Sequence, residues 1–159
     1  VLRLIKELNI RPKWTIGLVL WTNEEYGLRG ANAYRNKYLD KLKDHILAIE
    51  SDAGVFKPSG FGFTGPDESL NILQDIGTLL KPIQSGVITK GGGGADIGPI
   101  MAEGVPGMGL TVESEKYFWY HHTPADTFDK VDYKEFNNCI AAMAIMSYVV
   151  ADMELRLPR

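Results

Sequence analysis

The sequence predicts an α/β fold, a three-layer sandwich in which helices cover both faces of a central sheet. Three observations predict it. Apolar runs at residues 14–22 and 46–50 each lead into acidic residues, segments of helical periodicity separate such runs, and no repeat or low-complexity stretch interrupts the alternation. At 159 residues the chain can bury one core, so a single domain is expected.

Val1, Leu4, Ile5 and Leu8 share a helical face, and Asn9 to Lys13, with Pro12, closes that helix. Trp14 to Thr22 reads as the first strand. It is apolar on both faces at Ile16, Leu18, Val19, Leu20 and Trp21, which predicts a buried central strand. Leu28 to Leu39 reads as a helix, with Ala31, Tyr34 and Tyr38 at its spacing. Ile46 to Glu50 reads as a second strand, so the β-α-β order predicts a right-handed parallel crossover. Further along, Glu68 to Leu80 is a helix, Gly86 to Thr89 a weak strand, Asp96 to Glu103 a short helix and Gly109 to Val112 a strand. The longest helix runs from Tyr133 to about Glu154, with Asp132 as its N-cap.

Composition excludes several classes. The 17 Lys+Arg against 20 Asp+Glu give a formal net charge of -3 with no block of like charge, which argues against a nucleic-acid partner. The single cysteine, Cys139, has no internal partner and reads as a buried, inert thiol. Residues 141–151 form the longest apolar stretch, well short of the roughly 20 residues of a membrane span. No secretory signal opens the chain, and a sequence that starts inside an amphipathic helix without Met reads as a piece of a longer protein.

Candidate chemistry gathers at the strand ends, where open α/β sheets place their sites. Glu24-Glu25 follows the first strand, Glu50-Ser51-Asp52 the second, and His121-His122 lies in the loop after Val112. Adjacent carboxylates at a strand end point in different directions, so they can divide two roles: one binds a divalent metal and the other takes a proton from water. Alone, the pair is also compatible with a solvated acidic loop. His121-His122 follows the aromatic run Tyr117 to Tyr120, a setting that suits neutral, metal-bound imidazole or a satisfied loop histidine, with Asp126 capping a turn. Gly91 to Gly94 lacks the Gly-Lys-Ser/Thr ending of a phosphate loop. The glycines read either as a mobile loop or as backbone passing close to substrate, with Asp96 as an N-cap. His45 precedes the second strand at the opposite end and reads as structural.

The stretches Leu20 to Gly27, Glu50 to Gly54 and His121 to Thr127 come in the order and spacing of co-catalytic zinc aminopeptidases and carboxypeptidases, and the chain resembles that family over nearly its whole length. The resemblance implies a mixed, mainly parallel sheet of the zinc-peptidase type. It implies Glu24 as general acid/base, and Glu25, Asp52 and His122 as ligands of two Zn2+ ions. Gly93, Asp96, Tyr120 and His121 are the substrate-binding candidates. It further implies short unblocked peptides as substrates, a homodimer, and a secreted or lysosomal location. The family's further His and metal-bridging Asp fall upstream of these motifs. The chain is therefore expected to be the C-terminal part of one catalytic domain, to hold zinc poorly alone, and to expose an unpaired edge at its first strand. Two rivals remain at this level: a glutaminyl cyclase-like enzyme with a single zinc, and a non-catalytic peptidase-like binding or dimerisation module.

Overall fold

A computed structural model describes residues 1–159. In chain order the elements are α1 (Leu2–Glu7), α2 (Arg29–Tyr38), β1 (Ala48–Glu50), β2 (Pro58–Thr64), α3 (Asp67–Gly77), β3 (Val87–Lys90), α4 (Gly98–Met101), β4 (Gly107–Val112), α5 (Tyr117–Tyr120) and α6 (Tyr133–Asp152). The four strands form one mixed sheet in the order β1-β4-β2-β3. β1 runs parallel to β4 and β2 parallel to β3, while β2 and β4 are antiparallel.

Alternation along the two central strands sorts their residues onto two faces. Phe61 and Phe63 of β2 join Met108, Leu110 and Val112 of β4 in the main core, against Leu73 and Ile76 of α3 and Cys139, Ala142, Met146 and Val150 of α6. The opposite face carries Gly60, Gly62, Gly107 and Gly109. Backbone covers it: a Cβ on Gly62 would stand 2.4 Å from the Gly91 carbonyl oxygen, and one on Gly109 2.1 Å from that of Gly93. Beyond it a smaller core joins Leu42, Ile97, Ile100 and Val105, with Trp21, Tyr34 and Tyr38 packed against them. Helices thus cover both faces, as the three-layer reading expects.

Several elements follow the sequence closely. Asp132 caps α6, its carboxylate accepting the Glu135 N–H at 2.9 Å, and satisfies one of the free amides of the first turn. Ala31 is fully buried where the spacing puts the inner face of α2, and Tyr34 packs on Tyr38 with centroids 4.6 Å apart. Helix α3 ends at Gly77 and tightens into a 3-10 turn over Thr78–Ile83, where Pro82 prevents continuation of the α-helix. His45 is structural: its Nδ1–H donates to the Lys41 carbonyl, and its Nε2 accepts from the Tyr34 hydroxyl at 2.9 Å.

Four expectations need correction. Residues 14–22 form no strand; they run between an anchor at Trp14, whose N–H donates to the Ala151 carbonyl, and Thr22, whose carbonyl accepts from Gly30. A run apolar on both faces suits a strand with neighbours on both sides, and no strand of this chain lies beside it, so Leu18 and Leu20 are 68% and 84% exposed. The β-α-β crossover drawn from it is therefore not formed. The strand β2, central in the sheet, is not foreseen at all. Asp96 does not cap α4: the cap residue is Ile97, and no side chain bonds there. Finally, the glycines at 91–94 bring backbone close to the sheet and not to a ligand cleft.

Candidate active site

The Glu24-Glu25 pair sits on a tight turn that enters α2. Asn23 and Leu28 take left-handed conformations, with φ of 58° and 55°, and Asn tolerates this better than most side chains. Leu28 N–H returns to the Glu24 carbonyl at 2.9 Å and Arg29 N–H to that of Asn23 at 3.2 Å, so the turn is closed by its own backbone. His122 also has a positive φ, 56°. A non-glycine residue held there is consistent with a loop shaped to present its side chain.

These two loops meet. His122 Nε2 lies 2.6 Å from Glu25 Oε1, although 97 positions separate them in the chain. Both side chains remain more than half exposed, at 61% and 62%. Around them opens a cleft of about 560 Å3 that also presents Glu24, Asp52, Tyr120 and His121. Its wall is aromatic: His121 stacks on His122 at 3.9 Å and on Tyr117 at 4.6 Å, and Phe56 lies parallel to Tyr120.

Of the eight residues singled out from the sequence, six therefore share one cleft, and two do not line it. Gly93 lies on the sheet against Gly109. Asp96 is buried, 7% exposed, as is Glu50 at the end of β1. Burial is the main cause that pushes both carboxyls above the usual carboxylate range, and the neighbouring Asp52 charge pushes them the same way. For Glu50 the Ile97 and Asp96 N–H groups act in the opposite sense. The cleft also includes Asp132, the cap of α6, and Lys130, which no sequence motif marks; Lys130 is ion-paired to Asp129.

Carboxylate and imidazole are donors suited to a divalent cation. Glu25 and His122 already converge and Asp52 shares their cleft, but nowhere in the chain do three His, Cys, Asp or Glu side chains come close enough to hold an ion. The residues present fit a partial ligand set.

A sequence profile described as peptidase family M28 matches residues 1–147. The chain belongs to peptidase family M28. Among curated members, it is 44% identical to carboxypeptidase Q of Bos taurus and 43% to that of Homo sapiens, in each case over 99% of this chain and 34% of the relative. The chain thus spans about a third of the length of these relatives. A crystal structure of a peptidase M28 precursor from Shewanella amazonensis superposes with a TM-score of 0.88 at 30% identity, over 98% of this chain and 35% of that one. An aminopeptidase from Aneurinibacillus sp. strain AM-1 gives a TM-score of 0.58 at 27% identity, over 87% of this chain and 34% of that one. The M28 fold is therefore shared with solved peptidases, and no helix of this M28 chain is long and apolar enough to cross a membrane.

Proposed function

We propose that this chain supplies the base and three metal donors of a zinc-dependent exopeptidase that hydrolyses short, unblocked peptides. The observation that carries the reading is the contact of Glu25 with His122 inside the cleft that also presents Glu24 and Asp52. Glu25, Asp52 and His122 are the residues that would hold zinc, with further donors contributed from outside these residues. Bound there, zinc would supply a Lewis acid for the peptide carbonyl and acidify a water molecule. Glu24, half-buried beside Glu25, takes the proton from the attacking water and returns it to the leaving amine. Tyr120 and the edge of His121 line an aromatic wall along which a short peptide can lie.

Peptides as substrates are supported by family membership; their shortness and free ends, two zinc ions, a homodimer and a secreted or lysosomal setting are supported by the resemblance alone. Nucleic acid is not part of the reading, given the net charge of -3. In the full-length protein, Glu24→Gln is expected to abolish turnover while zinc content is unchanged. Turnover comparable to wild type in that variant overturns the assignment. Metal analysis separates the rivals: two ions per chain support this reading, one ion supports a cyclase-like enzyme, and none in a folded protein supports a binding or dimerisation module.

A further inference from the structure

Below Asp52, on the dry side of the strand end, lies a group that the proposed mechanism does not use. Glu50 is 7% exposed, and its Oε2 accepts the Ile97 N–H at 2.8 Å. The Asp96 N–H is directed to the same carboxylate. Its Oε1 and the Oδ1 of Asp96 are buried without a partner. An ionisable group in such a place is costly unless its hydrogen bonds compensate, so what those bonds secure is informative.

The backbone shows what that is. A Cβ built on Gly94 would fall 2.0 Å from the Glu50 carboxyl carbon and within 2.4 Å of both its oxygens, so the glycine segment is moulded around this one side chain. The same segment lays Gly93 on Gly109 and Gly92 on Gly62. β1 has a single sheet neighbour, β4, and its register ends at Glu50 against Gly109. Beyond Glu50 no ladder holds the chain, and Ser51 and Asp52 are exposed. The hydrogen bond that the Glu50 carboxylate accepts from the Ile97 N–H is thus the last fixed point before Asp52.

We propose that Glu50 is a positioning residue: its carboxylate clasps the Gly91–Ile97 segment against the sheet and thereby fixes the strand end from which Asp52 enters the cleft. The inference rests on the reading of Asp52 as a metal donor for its functional consequence, and on the Ile97 contact for its structural part. A clasp of this kind acts as an outer partner does for a ligand, and the loss of such partners costs roughly tenfold to hundredfold in activity or metal affinity.

The test uses the full-length protein with Glu50→Gln, Glu50→Ala, and Glu50→Ala combined with Gly94→Ala. Gly94 has an ordinary negative-φ backbone, so the added methyl can occupy space vacated by the truncated side chain. Three quantities are read: kcat and KM on a dipeptide, the visible spectrum of the Co2+-substituted protein, and hydrogen exchange at the Ile97 amide. Glu50→Gln keeps an acceptor for Ile97 and is expected to leave all three close to wild type. Glu50→Ala is expected to lower kcat roughly tenfold or more with little change in KM, to shift the Co2+ bands and to speed Ile97 exchange. The double variant is expected to recover the thermal midpoint of unfolding while kcat and the Co2+ spectrum remain altered. Recovery of kcat and spectrum in the double variant would show that only a cavity mattered and would overturn the proposal. An unchanged Co2+ spectrum in Glu50→Ala overturns it equally. If the wild-type protein neither cleaves peptides nor binds Co2+, the functional reading fails instead, and the clasp is still judged by Ile97 exchange: faster in Glu50→Ala supports it, unchanged removes it.

Discussion

The two faces of the same four strands are sealed by different means. On one, Phe61, Phe63, Met108 and Leu110 are buried under α3 and α6; on the other, Gly62 and Gly109 admit the backbone of residues 91–93 directly onto the sheet. The first face is a packed core, whose energy comes from apolar area and dense contact. The second is sealed at its centre by backbone, with the Met101 side chain lying on Gly107 and a smaller core beyond. Its use is proximity: it brings the 91–97 segment, and with it the amides that bind Glu50, to the strand end that carries Asp52. One face carries the main core, and the other chiefly sets geometry.

Substitutions can break that contrast, and the largest effect belongs to the packed face. Phe61→Ala, at a side chain only 1% exposed, is expected to destabilise by about 3–5 kcal/mol, measured by urea unfolding. Gly109→Ala comes next. Its methyl would meet the Gly93 carbonyl oxygen at 2.1 Å, and relief by backbone shift is expected to cost about 1–3 kcal/mol. A loss as large as that of Phe61→Ala would show that the glycine face also stabilises the fold; no loss would show that the close approach is dispensable. Glu25→Ala and His122→Ala sharpen the comparison from outside both faces. Their side chains are about 60% exposed, so unfolding without metal is expected to change by no more than about 0.5 kcal/mol, while metal retention in the full-length protein falls. The smallest effect is a rate. Cys139 lies against the packed face, its thiol pushed up to about 11, chiefly by burial, and its Sγ–H directed at the Phe56 carbonyl. Alkylation near neutral pH is expected to stay slow until the protein unfolds, because the thiolate is the reactive form. Rapid labelling of the native protein would show that the α6 side of the core opens readily.

The same contrast explains what could be read from the sequence. Helix α6 announced itself through Asp132 and a long apolar period, and α2 through Ala31, Tyr34 and Tyr38, because their signals are local. The strand β2 did not. Its Pro-Ser-Gly-Phe-Gly-Phe-Thr reads as turn-rich, since glycine is depleted in strands, and only the pairing of Gly62 with Gly109 and the crossing of residues 91–93 make glycine the right residue there. Residues 14–22 erred in the opposite direction: strong strand propensity cannot form a strand without a neighbour to hydrogen-bond. At the site, Glu24, Glu25, Asp52, Tyr120, His121 and His122 were legible because short motifs mark them. Lys130 was not, having no motif, and the burial of Glu50 and Asp96 was not, because it depends on a loop that returns from far along the chain.

The meeting of Glu25 with His122 has a thermodynamic consequence. The two lie 97 positions apart, so a cation gripped by both would close a loop covering more than half of the molecule, through groups that are otherwise well solvated. The fold already holds the ends of that loop together, so the grip costs no further closure entropy there, whereas the same grip in the unfolded chain would. By mass action, an ion that favours the folded chain raises its resistance to urea with the logarithm of free ion concentration. Ambient metal would then act as a clamp on the architecture as well as on chemistry, and a chelator would loosen the two loops before it disturbed the sheet behind them.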